Sequence, residues 1–203
     1  MIGRLYAEAL SGAEVHVEHE DGRLRPLDAT RWLELTDGDE AMLSRCHGPT
    51  LDVGSGPGRL TVELTRRGVA ALGIDLTPHA VRLTRRAGGL ALCRDVFGPV
   101  PGAGHWATVL LADGNIGIGG DPLALLRRVR ELVRPGGEVI AEADPPGAPS
   151  GGEVVRLRQG PVAGGWFRWA RVSVRDLPAL ARAAGFTVVQ RHHQAGRWFA
   201  FLR

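Results

Sequence analysis

Between residues 50 and 142 of this 203-residue chain, short apolar runs alternate with amphipathic segments, and no other feature restricts the fold so strongly. Apolar runs bounded by glycine or proline are typical of buried strands, whereas apolar residues spaced three and four apart indicate helices. Regular alternation of the two predicts βαβ units and a parallel sheet. Strands are predicted at 50–53, 69–75, 90–93, 107–112 and 138–142, with helices at 58–67, 78–86 and 122–133.

The last third of the chain has a different pattern. After a loop rich in proline and glycine at 144–152, two runs with strand character flank a glycine-containing turn, which predicts a hairpin. A helix at 175–184 follows, and then a final antiparallel pair of strands joined by residues 194–196.

The first 48 residues precede the first strand of the sheet and are therefore free to lie over its binding edge. We expect a short helix at the start and a second one from about Asp37. The sequence thus predicts an N-terminal cap at 1–48 and a domain at 49–203, in which 144–174 is a substrate-side insertion.

The loop between the first predicted strand and helix has the sequence LDVGSGPGR, with Asp52 in the strand and Gly54, Gly56 and Gly58 in the turn. Glycine permits close approach of the backbone to a ligand, and a helix N-terminus offers free N–H donors. The loop is therefore predicted to bind a ligand with hydrogen-bond acceptors.

The spacing of these glycines argues against a dinucleotide. The G-x-G-x-x-G fingerprint requires glycine where this chain has Arg59. The carboxylate of Asp52 would also repel a pyrophosphate, whereas it suits a ligand that carries an ammonium group.

The pattern D/E-x-G-x-G-x-G from Asp52 to Gly58 resembles the first motif of the class I S-adenosylmethionine-dependent methyltransferases. Later segments are also similar to that family in order and spacing: GIDLTP, RDVF, LLADGNIG, LVRPGGEVIAE and AAGFTVV. The resemblance implies that Asp75 binds the ribose hydroxyls and Asp95 the adenine amino group, with Val96 or Phe97 against the ring. The full set of cofactor-binding residues it implies is Asp52, Gly54, Ser55, Gly56, Gly58, Asp75, Leu76, Asp95, Val96, Ala112 and Asn115.

The same resemblance implies a Rossmann-like, doubly wound seven-stranded sheet, mostly parallel with an antiparallel C-terminal strand. It implies S-adenosylmethionine as cofactor, S-adenosylhomocysteine as product and no metal. The nucleic-acid amino methyltransferases often carry an N-P-P-Y type sequence where this chain has ADGNIG. The expected reaction is therefore methyl transfer to an oxygen or nitrogen of a small molecule, and secondary metabolism is one setting for it.

Two other functions remain open at this level: an NAD(P)-dependent oxidoreductase, and a non-catalytic subunit that binds S-adenosylmethionine. Individual residues also have structural alternatives. Asp75 can cap the next helix, Asp95 can belong to a turn, and Asp121 is expected to be an N-cap. The acceptor and the kind of atom methylated are left undetermined.

All 25 basic residues are arginine, so no lysine can serve as a general base. Asp113 follows the fourth strand and is the candidate catalytic residue, although a structural role in the turn explains it equally well. His79 is more consistent with a surface position than with a base. His192 and His193 alternate across a predicted strand, so at most one of them can face a site, and no metal-ligand spacing lies nearby. Four aromatic residues could line the site of the methyl acceptor, but core packing is the favoured explanation for each. They are Trp32, Trp166, Phe167 and Trp169. Arg168 and Arg171 suit either an acidic substrate or a solvated strand face.

The formal net charge is only +3, and no basic run is interleaved with aromatic residues, so nucleic acid is not an expected partner. The N-terminus lacks the apolar core of a signal peptide, and no stretch of the sequence is long and apolar enough for a membrane span. The two cysteines have no metal-site spacing. We therefore expect a soluble cytoplasmic protein, with its oligomeric state open.

Overall fold

A computed structural model of the chain describes residues 3–203, apart from the side chain of Val189. Met1 and Ile2, which the predicted cap includes, lie outside the described residues. The helices are α1 (Gly3–Leu10), α2 (Asp39–Leu43), α3 (Arg59–Arg66), α4 (Pro78–Arg86), α5 (Pro122–Leu132) and α6 (Leu177–Ala183). The strands are β1 (His16–His19), β2 (Leu24–Pro26), β3 (Thr50–Val53), β4 (Ala71–Asp75), β5 (Ala91–Cys93), β6 (Trp106–Leu111), β7 (Val133–Ala143), β8 (Gly151–Gln159), β9 (Val162–Ala163), β10 (Phe167–Arg171), β11 (Val188–Gln194) and β12 (Arg197–Leu202).

Seven strands form the main sheet in the order β11-β12-β7-β6-β3-β4-β5. The pairs from β7 to β5 are parallel, and β12 is antiparallel to both of its neighbours. The predicted fold, a mostly parallel seven-stranded sheet with an antiparallel C-terminal strand, is confirmed. One boundary differs: β7 begins at Val133, directly after α5, so the RPGG segment lies within the strand rather than before it.

Helices cover both faces of this sheet, as expected of a doubly wound fold. Leu110 and Leu111 are adjacent on β6 and fully buried, and their side chains point to opposite faces because strand side chains alternate. Leu110 belongs to a core cluster with Met42 of α2 and Leu64 of α3. Leu111 belongs to another, with residues of α5 and α6.

A second sheet has the order β10-β8-β1-β2, with β9 paired to β8. The predicted hairpin in the late insertion is present as β8 and β10. No strands were expected at residues 16–26, yet β1 and β2 form a hairpin there, and β1 pairs with β8. The start of the chain and the insertion therefore share one sheet. The division into cap, domain and insertion stays a prediction.

The order of strands places a binding crevice at the centre of the main sheet. From β3 the chain moves to β4 and β5 on one side, and β6 then pairs with β3 on the other side. Ligands of open α/β sheets bind at such a switch point, outside the carboxyl ends of the strands. No helix of residues 3–203 is long and apolar enough to cross a membrane.

Candidate functional site

A large cleft, about 1470 Å³ in volume, lies between the carboxyl ends of the main sheet and the second sheet. One wall consists of the segments that follow β3, β4, β5 and β6, and the other of α1, β1, β8 and β10. Its volume exceeds the several hundred Å³ usual for one ligand, about 300–1,000 Å³. The cleft therefore has room for two ligands side by side.

The glycine loop after β3 forms the floor of the cleft. Gly54 and Gly56 have positive φ angles of 69° and 55°, a conformation that favours glycine. The Asn115 amide donates to the carbonyl oxygens of Val53 and Gly54 at 2.9 and 3.0 Å. A Cβ atom on Gly54 would lie only 2.8 Å from Asn115 Nδ2, so the close fit of loop and Asn115 requires glycine here.

Asp75, at the end of β4, holds the loop from the other side. Its carboxylate accepts hydrogen bonds from the backbone N–H groups of Gly56 at 3.0 Å and Thr77 at 2.7 Å. Burial raises the pKa of Asp75. A carboxylate offers about four acceptor positions. Two are used here, and the residue lines the cleft, so acceptor capacity remains for ligand hydroxyl groups.

Apolar side chains surround the far end of the cleft beside Asp95. Leu76 is 61% exposed and Phe97 is 44% exposed, whereas Val96 is buried at the cleft wall. Asp95 Oδ1 accepts the backbone N–H of Phe97 at 3.0 Å, so Asp95 also shapes the turn. Val96 and Phe97 are the two apolar residues predicted to contact the adenine ring, and of these only Phe97 is exposed.

Three of the predicted cofactor residues do not line the cleft. Asp52 is fully buried beneath the loop, where its carboxylate accepts a 2.8 Å hydrogen bond from Thr61, and burial raises its pKa to about 6. A Cβ on Gly58 would lie 2.4 Å from Thr84, so that glycine serves the packing of α3 on α4. Ala112 belongs to the core. The strand directs the Asp52 side chain under the loop, and its contact with an ammonium group stays a prediction.

Asp113 lines the cleft, but its carboxylate is held by a buried guanidinium. Arg59 binds Asp113 at 2.7 and 3.1 Å and Asp39 of α2 at 2.8 and 3.0 Å. Arg197 of β12 binds Asp39 at 2.7 Å and Glu142 at 2.8 and 2.9 Å. Both carboxylate oxygens of Asp113 are thus bound by one guanidinium group. The geometry therefore assigns Asp113 a structural role and disfavours the predicted role as a base.

Other side chains in the cleft were not among the predicted site residues. Tyr6 of α1 is the only tyrosine of the chain, and its hydroxyl would lie 3.1 Å from a Cβ on Gly56. Burial raises the pKa of Tyr6, and the carboxylates of Asp75 and Asp113 add to the effect. His19 of β1 and Glu153 of β8 also line the cleft. The strand alternation of residues 15–19, followed by an Asp-Gly turn, is the signal that could have located His19.

Some of the remaining candidate residues line the cleft and others do not. Cleft-lining positions are taken by Trp32, Phe167, Arg168, Trp169 and Arg171. Trp166 is not among them, because its ring packs under the Arg156 guanidinium, 4.4 Å from the ring centre. His79, His192 and His193 lie away from the cleft lining, and Asp121 caps α5 by accepting the N–H of Ala124. Within residues 3–203 no group of three or more metal-ligating side chains is found.

Residues 51–141 match the family model described as a methyltransferase domain. This segment contains the glycine loop, Asp75, Asp95 and Asp113. No curated protein sequence matches the chain.

Solved structures with a similar fold include an S-adenosylmethionine-dependent methyltransferase from Bacteroides fragilis in complex with S-adenosylhomocysteine. It is 19% identical with a TM-score of 0.84, and the match covers 100% of this chain and 93% of that one. The 1,6-didemethyltoxoflavin-N1-methyltransferase of Burkholderia thailandensis, solved with 1,6-didemethyltoxoflavin and S-adenosylhomocysteine, is 21% identical over 81% of this chain and 73% of that one, with a TM-score of 0.59. The glycopeptide N-methyltransferase MtfA, solved with S-adenosylmethionine, is 15% identical over 81% and 91%, with a TM-score of 0.60.

Proposed function

We propose that the protein is a class I, S-adenosylmethionine-dependent methyltransferase and that it methylates an oxygen or nitrogen atom of a small molecule. The match of residues 51–141 to the model of a methyltransferase domain supports this proposal. The observation that carries the proposal is the continuity of the cleft. The glycine loop and Asp75 line the same space as the apolar face of the second sheet. Cofactor and acceptor can therefore meet without solvent between them.

The residues on the main-sheet side fit S-adenosylmethionine. Asp75 has acceptor capacity for two ribose hydroxyls, Leu76 and Phe97 offer apolar surface for a purine, and the carboxylate of Asp95 is available to an amino group. When bound, S-adenosylmethionine supplies an electrophilic methyl group on a sulfonium. The chain must then align the acceptor with that methyl group and exclude water, which are the main contributions a protein makes to such a displacement.

The second sheet suits a small acceptor with an apolar body. Its inner face presents Val155, Leu157, Phe167 and Trp169 to the cleft. We propose that residues 1–48 and 144–174 together form this acceptor-binding half, since β1 and β8 are neighbours in one sheet. The fold is similar to those of the 1,6-didemethyltoxoflavin-N1-methyltransferase and the glycopeptide N-methyltransferase MtfA. This similarity is consistent with a role of the protein in secondary metabolism. Neither cysteine is in a disulfide, which agrees with the cytoplasm.

Calorimetric titration with S-adenosylhomocysteine and with NADH separates this proposal from an oxidoreductase. We expect saturable binding of S-adenosylhomocysteine and none of NADH. NADH binding without a response to S-adenosylhomocysteine would contradict the proposal.

A non-catalytic binding subunit is tested by activity. The protein is incubated with methyl-labelled S-adenosylmethionine and a panel of phenols, amines and heteroaromatic compounds. We expect label in at least one acceptor at a rate that exceeds a heat-denatured control. Tight binding of S-adenosylhomocysteine with no transfer to any acceptor would favour the binding subunit instead.

A further inference from the structure

His19 and Glu153 form a pair on the wall of the cleft opposite the glycine loop. His19 Nδ1 lies 3.3 Å from Glu153 Oε2, and the two side chains are 15% and 25% exposed. This ion-pair contact is longer than a usual hydrogen bond of about 2.7–3.2 Å, and catalytic contacts often shorten when the ligand binds. Since Glu153 faces Nδ1, Nε2 is the ring nitrogen left for a partner in the cleft.

This pair is the best-placed basic group that the cleft offers. Of the seven histidines in the sequence, all within the described residues, His19 alone lines the cleft. The chain has no lysine. Asp113 is bound by Arg59, and the high pKa of the Tyr6 hydroxyl keeps its proton in place at neutral pH. Histidine also titrates nearest to neutral pH among ordinary side chains.

The surroundings of the pair favour an acceptor with an apolar body. His19 lies opposite Val155 in the β1–β8 ladder, and Glu153 lies opposite Trp169 in the β8–β10 ladder. Phe167 lies on the same face of β10 as Trp169, opposite Val155. Low polarity around a charged pair strengthens its attraction, so Glu153 stabilises an imidazolium that forms when His19 takes a proton.

We infer that His19 is the general base of the methyl transfer and that Glu153 is the residue that positions it. This inference rests on the proposed function. The acceptor is then one whose nucleophile carries a proton, a hydroxyl or a protonated amine on an aromatic or apolar body. His19 Nε2 takes that proton while the nucleophile's electron pair forms a bond to the methyl carbon. The carbon–sulfur bond breaks with its electrons on sulfur, and S-adenosylhomocysteine leaves as a neutral thioether.

Charged groups from the neighbouring elements also face the pair. Asp21, in the β1–β2 turn, lies near His19 and is bound at 2.6 Å by Arg23. Arg171 of β10 is near Glu153 and bound at 2.7 Å to Asp144. The charges of Asp21 and Arg23 partly cancel each other, and so do those of Arg171 and Asp144. Glu153 is the carboxylate in direct contact with the His19 ring.

The first test needs no acceptor. Nitrogen-15 spectra of the histidine rings are recorded on the protein saturated with S-adenosylhomocysteine at about pH 8, with His19 assigned by its loss in His19→Gln. We expect Nδ1 to carry the proton and Nε2 to be bare. A proton on Nε2 would overturn the inference, because the nitrogen that faces the acceptor would then have no lone pair to offer.

The second test compares two probe acceptors, catechol and thiophenol. Catechol must lose a proton during methylation, whereas thiophenol is largely ionised at about pH 8. We expect His19→Gln to lower the rate of catechol methylation by about 10²–10⁴-fold and to leave thiophenol methylation within about threefold. Glu153→Gln should lower the catechol rate and shift its pH profile, with partial recovery in Glu153→Asp.

His16→Gln is the matched control, since His16 is on the same strand but does not line the cleft. Equal rates of catechol methylation in His19→Gln and His16→Gln would overturn the inference. If the parent protein methylates neither probe, the nitrogen-15 measurement of the His19 tautomer alone tests the inference. Failure of the proposed function looks different, because the parent protein would then either not bind S-adenosylhomocysteine or transfer no methyl group to any compound of the acceptor panel.

Discussion

At the scale of single residues, three acidic side chains that the sequence places near the cofactor have three different roles. Asp75 lines the cleft and also fastens the glycine loop. Asp52 lies under the loop on Thr61, and Asp113 is neutralised by Arg59. Sequence position places all three near strand ends but does not give the direction of their side chains. The packed structure shows that Asp75 lines the cleft with acceptor capacity left, that Asp52 is buried under the loop, and that Asp113 is bound by Arg59.

Replacement of Asp75 by Asn tests its role toward the ribose. We expect S-adenosylhomocysteine to bind more weakly by about 1–3 kcal/mol, because a charged acceptor of two hydroxyl groups is lost. Calorimetry measures the affinity, and circular dichroism checks the fold. Asp121→Asn, a change in an exposed helix cap, should leave the affinity unchanged. Equal affinities in the two variants would remove Asp75 from the cofactor site.

Asp52 has an effect on stability with a definite sign. Burial raises its pKa to about 6 in the folded state, above the ordinary value of 3.8. Between these two pH values the folded protein holds more protons than the unfolded one, so the contribution of Asp52 to stability decreases as pH rises through this window. The size of the loss is on the order of 2–3 kcal/mol.

Urea denaturation of the parent protein and Asp52→Asn between about pH 4 and 7 measures this loss. The unfolding free energy of the parent, relative to the variant, should decrease across the window. Affinity for S-adenosylhomocysteine should stay within about twofold, since Asp52 does not line the cleft. A constant difference in stability would contradict the assigned pKa shift, and a large loss of affinity would restore Asp52 to the cofactor site.

At the scale of elements, a buried network of arginines and carboxylates joins segments distant in sequence. Arg59 at the start of α3 binds Asp39 of α2 and Asp113 after β6, and Arg197 of β12 binds Asp39 and Glu142 of β7. The network lies beside the cleft, since Arg59, Asp113 and Glu142 are part of its lining. It therefore fixes the loop after β6 relative to the glycine loop.

Arg59→Leu should destabilise the protein by about 3–5 kcal/mol, because the buried Asp39 and the partly buried Asp113 lose their shared partner. Arg67→Leu is the matched control on the same side of α3. Arg67 bridges Glu40 and Glu63 at the surface, where a pair contributes less than about 1 kcal/mol. Thermal or urea unfolding measures both changes. Similar losses of unfolding free energy in the two variants would show that the Arg59 network contributes no more to stability than a surface ion pair.

The strands of the main sheet could be predicted because each is a local apolar run. Four of the five predicted central strands coincide with observed strands to within two residues at each end, and β7 includes its predicted residues. The network could not be predicted, because Arg59 and Asp113 are 54 positions apart and only folding brings them together. The sequence identified Arg59 only as a misfit to a dinucleotide motif. The structure supplies the reason for an arginine there.

At the scale of the whole molecule, two distant parts of the chain build one wall of the cleft. Strand β1 near the start and β8 in the late insertion pair as neighbours, 138 positions apart between Glu18 and Arg156. Alternation along residues 15–19 can mark a strand, but the pairing of β1 with β8, which brings His19 to the cleft, has no local signal. The abundance of arginine has a structural use as well, since guanidinium groups bind carboxylates in pairs of hydrogen bonds at Glu18, Asp39, Asp113, Glu138, Asp144 and Glu142.

A ligand that binds only the folded molecule must stabilise all of it. At a concentration 100 times its dissociation constant, S-adenosylhomocysteine should add about 2.7 kcal/mol to the unfolding free energy. A thermal shift assay with and without the ligand measures this gain, and NADH serves as the control. A melting temperature that rises with NADH instead would favour a dinucleotide site.

The most direct test of the account is a crystal structure of the protein with S-adenosylhomocysteine. We predict that the ribose hydroxyls lie on the Asp75 carboxylate, that the purine lies beside Leu76 and Phe97, and that the sulfur faces the second sheet. Space for an acceptor should remain between that sulfur and His19. A ligand bound outside this cleft, or a sulfur enclosed with no open volume toward the second sheet, would contradict the proposal that the two walls form one active site.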